Sequence, residues 1–224
     1  MTPARQQDGA ALPAIVPVFP LSGVLLLPRG ELPLHIFEPR YRAMTAAALE
    51  GDGMIAMAQP SGEPASDPDN PPLFRVACLG RIAEARQTED GRYYITLSGV
   101  SRLRIGAELP LRDGYRRVMA DYDEFGGDLA EDRATVLDRE RLLDALKHYL
   151  GAKGMAADWQ SVDAVRNEPL VNALSMLCPF APSEKQALLE APDLAERSRL
   201  LTTLLEMGAV AAEAPAGPGG QARH

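Results

Sequence analysis

The sequence has few cysteines, few lysines and no long apolar run. Its two cysteines, Cys78 and Cys178, lack the close spacing of a metal site, which favours two reduced core thiols. The longest apolar runs, 24–27 and 54–58, are far too short to cross a bilayer. No apolar segment of signal-peptide length precedes the first prolines of the 11–20 region. These absences predict a cytoplasmic protein with no membrane partner.

Catalytic motifs are also missing. The sequence has neither a GxxxxGK[ST] phosphate loop nor a GxSxG nucleophile turn, and its three histidines are far apart. His35 lies in an apolar segment, which favours a hydrogen-bonded structural role over that of a catalytic base. We therefore expect no catalytic residue, no cofactor and no metal site. A hydrolase with an unrecognised site is kept as a third alternative.

The net charge of −8 is unevenly distributed along the chain. Up to Arg117 there are 13 basic and 13 acidic residues, whereas from Val118 onward there are 10 and 18. A general nucleic-acid or anionic-membrane binder would show a basic excess, so the balance disfavours nucleic acid as a partner. It leaves room for a local arginine patch.

The segment 32–42 predicts an apolar strand that turns directly into a helix. Proline fixes φ and lacks an N–H, so Pro39 suits the first position of a helix, which Gly51 would end. Free N–H groups and a positive dipole at this helix start would lie beside Arg40 and Arg42. A shallow groove there could bind an extended peptide along an open strand edge. The candidate peptide-binding residues are Phe37, Glu38, Arg40, Tyr41 and Arg42.

An alternative interpretation gives the same residues a purely structural role. Glu38 would then cap the helix and form an ion pair with Arg40 or Arg42, while Tyr41 would belong to the core. Exposed ion pairs contribute only about 0–1 kcal/mol to stability, so the two interpretations differ in what mutation should do.

Strand signals dominate the first part of the chain and helix signals the second. The residues 74–82 and 93–105 alternate apolar and polar residues around a turn at 89–91, which predicts a hairpin. A further strand is predicted at Val24–Pro28, and a proline-rich loop at 59–72. After residue 125 helical periodicity takes over, and Asp193 opens the last helix with capping-box spacing. The predicted division is a disordered leader (1–13), a β-rich subdomain (14–125), a helical subdomain (126–212) and a disordered tail (213–224).

Several segments together resemble the N-terminal substrate-binding domain of Lon proteases, in its stand-alone bacterial form. The resemblance covers roughly residues 14–210. The segments that carry it are VFPL (18–21), PLHIFEPRYRAM (33–44), GRI (80–82), GRY (91–93), LSGVSRLRI (97–105), NALSMLCPF (172–180) and EKQALLE (184–190).

The resemblance implies an α+β fold: a PUA-like twisted β pseudo-barrel with one covering helix, followed by a C-terminal helical bundle. It implies a non-catalytic protein, because the ATPase and serine–lysine protease domains of Lon are absent from the sequence. The implied partners are unfolded or tagged polypeptides, and Arg40 matches the family's charged helix-start residues. A separate Lon-type protease is left open as a further partner. The alternative is an RNA-binding PUA-like module that uses Arg102 and Arg104.

Overall fold

The computed structural model describes residues 11–62 and 70–213. Most of the predicted leader and tail, and half of the predicted 59–72 loop, therefore lie outside the described residues. The strands are β1 (Ile15–Pro20), β2 (Glu31–Ile36), β3 (Met54–Ala58), β4 (Val76–Gln87), β5 (Tyr93–Arg112) and β6 (Tyr115–Asp121). The helices are α1 (Pro39–Glu50), α2 (Arg139–Ala152), α3 (Trp159–Ala164), α4 (Asn167–Leu177), α5 (Pro182–Glu190) and α6 (Leu194–Glu213), with a 3-10 helix at Asp123–Leu129. Within the described ranges, no helix has the length and apolar character needed to span a membrane.

The strands form one sheet that closes on itself. Their order is β2-β5-β4-β3-β1-β6, and β6 pairs in addition with β5. Five strands therefore make a ring, and β2 is attached outside it along the first part of β5. The long strand β5 pairs with β2 and β4 along its first part and with β6 along its last part. Register shifts against β4 and β6 let it bend between the two. The predicted α+β class and twisted sheet are confirmed.

Apolar side chains fill the inside of this ring. Removing them from water is the main stabilising contribution to such a domain. The buried set is Val16, Val18, Met54, Ala56, Ala58, Ala77, Leu79, Leu103, Ile105 and Val118.

The helix α1 covers part of the ring, and its ends follow from its sequence. Pro39 is its first residue, and Glu38 before it is extended (φ −66°, ψ 136°), as a residue before proline prefers. Gly51 ends the helix. Tyr41 and Met44 are buried, and the Tyr41 ring lies 4.4 Å from that of Phe19 on β1. The predicted strand-to-helix turn is confirmed.

The predicted strand at Val24–Pro28 is wrong. Leu26 and Leu27 are fully buried, yet the segment has no strand pairing. A Cβ on Gly80 of β4 would lie 2.8 Å from Leu26, and one on Gly99 of β5 would collide with the Leu27 carbonyl. Consecutive residues therefore contact neighbouring strands, so the segment crosses the sheet instead of running beside it. Two glycines make this close approach possible.

The chain divides into two compact units. One contains the described residues up to Asp132 together with Asn172–Glu190, and the other contains Arg133–Val171 and the described residues from Ala191 onward. The segment Asn172–Glu190 thus belongs with the strands, although the sequence predicted a helical subdomain over 126–212. The exact boundary remains a prediction that proteolysis can test.

In the second unit α2 packs against α6. A Cβ on Gly208 would lie 2.7 Å from the Tyr149 ring, so the missing side chain lets the two helices approach closely. Arg141 and Glu206 form an exposed ion pair across the same contact, with Nε and Oε1 2.9 Å apart. The predicted start of α6 is confirmed, because the Asp193 carboxylate accepts a hydrogen bond from the Glu196 N–H at 2.8 Å. A separate C-terminal bundle is not confirmed.

Candidate functional site

The turn between β2 and α1 holds a local ion pair. Arg40 Nε donates a hydrogen bond to the Glu38 carboxylate at 3.1 Å, while the Glu38 side chain makes no hydrogen bond that caps α1. The Arg40 guanidinium also lies 4.7 Å above the Tyr41 ring. Tyr41 itself is buried, so its ring supports Arg40 from the core side. Of the predicted structural roles, the ion pair and the core tyrosine are observed and the side-chain cap is not.

Arg42 projects from the same turn toward the β4–β5 hairpin. The hairpin is confirmed, with Gly91 at its tip at φ +77°, a conformation that glycine adopts without strain. A Cβ on Gly91 would collide with the Arg42 guanidinium. Within the described part of the chain, that guanidinium has no hydrogen-bond or ion-pair partner. Arg42 is therefore held in place by close packing against Gly91, and its positive charge remains available to a ligand.

Phe37 begins a row of flat, exposed groups that crosses three strands. Phe37 is 58% exposed, and its ring lies 5.7 Å from that of His35. The His35 ring stacks on Tyr94 of β5 at 4.5 Å, and the Arg86 guanidinium of β4 lies 5.1 Å from the Tyr94 ring. His35, Tyr94 and Arg86 are register partners on β2, β5 and β4. We call these four residues the aromatic row.

This finding corrects the structural role predicted for His35. The residue is exposed, and its imidazole makes no hydrogen bond within the described ranges. An apolar strand context predicted burial, but His35 has the outward parity of β2, together with Glu31 and Pro33. Tyr94 and Arg86 were missed as candidate site residues. The polar parity of Tyr94 and Thr96 in the sequence was the available signal, but only the register shows which residues they meet.

An open groove of about 640 Å³ lies along this outer face. Pro33, Thr96 and Glu84 form a second cross-strand row beside the aromatic row. This second row lines the groove together with His35, Tyr94 and Arg86 of the aromatic row. The groove thus offers aromatic surface together with one acidic and one basic side chain, Glu84 and Arg86.

The groove is bordered by the free edge of β2. The Gly99 N–H donates to the Gly30 carbonyl at 2.8 Å, which fixes the alternation of hydrogen bonds along the β2–β5 pair. Leu32 and Leu34 therefore bond to β5, while Glu31, Pro33 and His35 direct their backbone groups to the open side. Pro33 has no N–H, and an outward position on an edge strand tolerates proline. Among the described residues no strand pairs with this edge.

Arg102, named for the RNA alternative, is an internal residue. It is 5% exposed and forms a paired contact with Asp128, with Nε–Oδ2 at 2.8 Å and a terminal nitrogen 2.9 Å from Oδ1. It also donates to the Leu189 carbonyl at 3.2 Å and lies 4.8 Å from the Phe125 ring. A guanidinium engaged on all sides inside the fold does not reach a phosphate backbone.

Arg104 is partly exposed but already paired. Its Nε donates to Glu124 Oε1 at 3.0 Å, and the pairing raises its pKa. To contact Arg104, a polyanion would have to displace the Glu124 carboxylate, which would otherwise repel it. The structure does not support the RNA alternative.

Other reactive groups do not assemble into a site. Both cysteines are buried and free, and burial raises the pKa of the Cys178 thiol to about 11. Lys185 is buried and donates to the Met176 carbonyl at 2.8 Å. Within residues 11–62 and 70–213, no group of three His, Cys, Asp or Glu side chains is placed to hold a metal ion.

Comparison with known protein families gives a match over most of the chain. Residues 15–207 match the family described as the ATP-dependent protease La (LON) substrate-binding domain. Lon protease 2 of Myxococcus xanthus is 24% identical over 207 residues, which cover 92% of this chain and 25% of that protein. Lon protease of Desulfosudis oleivorans is 25% identical over 204 residues, which cover 87% and 24%. The chain thus spans about a quarter of the length of these curated relatives.

Two solved structures share the fold. A Lon N-terminal domain protein from Xanthomonas campestris aligns with a TM-score of 0.60 at 18% identity, covering 84% of this chain and 97% of that one. The N-terminal domain of a Mycobacterium avium complex Lon protease aligns with a TM-score of 0.60 at 19% identity, covering 85% and 97%.

Proposed function

The chain belongs to the family of Lon substrate-binding domains, and we propose that it binds extended segments of unfolded or tagged polypeptides in protein quality control. The observation that carries the proposal is the open edge of β2 beside the exposed aromatic row. An extended chain can add to such an edge through main-chain hydrogen bonds, which do not depend on its sequence. That tolerance suits a protein that must accept many clients.

Each part of the surface has a separate role. The outward backbone groups of Glu31, Pro33 and His35 align the client chain along β2. Side chains at alternate positions of the client then lie over the aromatic row, where aromatic contacts are each worth about 0.5–1.5 kcal/mol beyond burial. Arg42, whose guanidinium lies against Gly91 of the β4–β5 hairpin, supplies a cation for the client, in place of the broader role predicted for the whole helix start.

The edge can be tested with a substitution that removes one donor. His35→Pro deletes an outward N–H, whereas His35→Ala deletes only the ring. Fluorescence anisotropy with labelled, reduced and carboxymethylated α-lactalbumin should show weaker binding to His35→Pro than to His35→Ala, by roughly fivefold or more, since one net hydrogen bond contributes about 1 kcal/mol. Equal affinity of the two variants, with matching melting curves, would exclude strand addition at this edge.

We infer binding without catalysis. The matched family region is the substrate-binding domain, and the degradative activity belongs to relatives about four times as long as this chain. The purified protein should neither hydrolyse ATP nor cleave casein. Turnover that survives purification and disappears with a point mutation in this chain would contradict the inference.

A separate Lon-type protease is the partner that we propose would receive the bound polypeptide. The support is the family relationship, because the region that this chain shares with Lon proteases is the one described as their substrate-binding domain. Addition of the protein to a Lon protease from the same cell should speed degradation of the labelled α-lactalbumin. His35→Pro should not have that effect.

A further inference from the structure

A second, smaller pocket of about 190 Å³ lies beside the last turn of α1 and shares no lining residue with the groove described above. Its walls come from β1, β6 and the last turn of α1, all in the same compact unit. Ile15, Pro17 and Met54 make one side apolar, while Arg112 and Arg117 bring two guanidinium groups. None of these residues belongs to the site described above.

Arg117 has an unsatisfied donor. One terminal nitrogen donates to the Pro110 carbonyl at 3.2 Å, but the Nε is buried with no hydrogen-bond partner among the described residues. Buried polar atoms without partners are uncommon in folded proteins, and each calls for an explanation. The Nε is closed to solvent, so a ligand with an acceptor oxygen would meet the other terminal nitrogen, which has no partner among the described residues and is not buried.

Two neighbouring groups are also available for hydrogen bonding. Arg112 is well exposed, and its nearest carboxylate, that of Asp113, lies 3.9 Å away, which is too far for a strong pair. The Tyr115 hydroxyl makes no hydrogen bond within the described ranges. The pocket therefore contains several donors and few internal acceptors.

The mixed lining narrows the class of ligand. Guanidinium groups bind carboxylates through paired, charge-assisted hydrogen bonds. Asp52 also lines the pocket, so two cations face one anion. That balance favours a ligand with a single negative charge over a doubly charged phosphate ester. The volume, that of about six water molecules, suits one amino-acid residue.

We propose that this pocket binds the C-terminal residue of a polypeptide, with its carboxylate on Arg112 and Arg117 and its apolar side chain against Ile15 and Met54. The proposal rests on the proposed function, since it gives the same clients a second point of attachment. A free carboxylate marks the end of a chain, so the pocket would select tagged or cleaved termini over internal segments.

The test uses two versions of one unstructured peptide that ends in leucine, with either a free carboxylate or a carboxamide. The full-length protein should bind the free acid about tenfold more tightly, because hydrogen bonds to a charged group are stronger than those to an amide. Arg112→Ala and Arg117→Lys should each reduce this ratio toward one. Arg199→Ala, at an exposed arginine of α6, is the matched control and should keep it. N-acetyl-leucine serves as a probe for a free small carboxylate.

The outcomes separate the two proposals. Equal binding of acid and amide overturns the terminal pocket but leaves edge binding at β2 intact. Binding of neither peptide, under conditions where unfolded α-lactalbumin also fails to bind, overturns both. If N-acetyl-leucine binds as tightly as the acid peptide, the pocket is for a small metabolite and the polypeptide assignment fails. Because Arg112 is exposed, its variant should remain folded even if Arg117→Lys does not.

Discussion

The imidazole of His35 and the phenol ring of Tyr94 are stacked: their centroids lie 4.5 Å apart and their planes are within 9° of parallel. They are paired across β2 and β5, so the stack reports the register of those strands on the protein surface. Phe37 and Arg86 extend it on either side. An exposed aromatic surface of this kind, beside an unpaired strand edge, typically marks an interaction site.

The aromatic row should contribute to binding more than to folding. Phe37→Ala and Tyr94→Ala should each weaken binding of labelled, unfolded α-lactalbumin by about tenfold, because each removes a large apolar contact. Fluorescence anisotropy measures the effect. Leu111→Ala is the control, since Leu111 is an equally exposed apolar residue of β5, at 61% exposure. If all three variants bind alike, the row is not the binding surface.

The two arginines of the β2–α1 turn should behave differently from each other. Arg42→Ala should weaken binding several-fold with an unchanged melting temperature, because its guanidinium has no partner among the described residues. Arg40→Ala removes an ion pair and a contact with Tyr41, so it should lower stability by about 1 kcal/mol or less. Calorimetry and anisotropy on both variants distinguish these effects. A turn that only supports the fold would show lower melting temperatures with unchanged affinity.

The Arg102–Asp128 pair should be essential for stability. Asp128→Ala leaves a buried guanidinium without its anion, which typically costs about 3–5 kcal/mol. Urea denaturation should therefore show a much lower midpoint. Arg104→Ala, which removes an exposed pair with Glu124, is the control and should lower the midpoint only slightly, because water and salt screen an exposed pair. Similar losses in the two variants would mean that the burial of Arg102 has little energetic consequence.

Tyr122 should contribute a pH-dependent part of the stability. Burial raises its pKa from 10.0 to about 12, and its hydroxyl donates to the Pro13 carbonyl at 2.9 Å. Between those values the unfolded chain loses the phenolic proton while the folded protein keeps it. The contribution is therefore complete below pH 10.0 and declines as the pH rises toward about 12.

Urea denaturation at a series of alkaline pH values checks this. The stability of Tyr122→Phe should fall less steeply than that of the unaltered protein across the same window. Parallel curves would show that Tyr122 titrates normally.

Limited proteolysis can locate the boundary between the two units. The first segment of the first unit ends at Asp132, whereas the sequence predicted a boundary at residue 125. Proteinase K should cut between 130 and 138 before it cuts at 124–128, because Phe125 and Asp128 are buried there. Mass spectrometry of the first fragments gives the answer. Early cleavage at 124–128 would favour the boundary predicted from the sequence.

The sequence predicted those features that depend on local chemistry. Pro39 and Gly51 set the ends of α1, and Gly91 marks the hairpin, because each residue restricts or frees its own backbone. Asp193 opens α6 for a similar reason, since its carboxylate bonds a nearby N–H. Such signals are contained within a few residues and can be recognised without a partner.

Features that depend on distant partners could not be predicted in this way. Arg102 alternates along β5 as an outward residue would, yet Asp128 draws it into the interior. Leu26 and Leu27 have strand-like composition, but Gly80 and Gly99 let them cross the sheet. The candidate site shows the same limit. Phe37 can be identified from its position before the predicted helix start, whereas Tyr94 and Arg86 are recognised only from the register of β2, β5 and β4.

The closure of the ring also has a consequence for synthesis of the protein. Of the described strands β1 is made before the others, but Val16 meets Val118 of β6 only after about a hundred further residues have left the ribosome. Until then one edge of β1 remains unpaired, and contacts so distant in sequence form slowly. A protein proposed to bind unfolded chains thus passes through a nascent stage in which its own first strand is a candidate client for other chaperones.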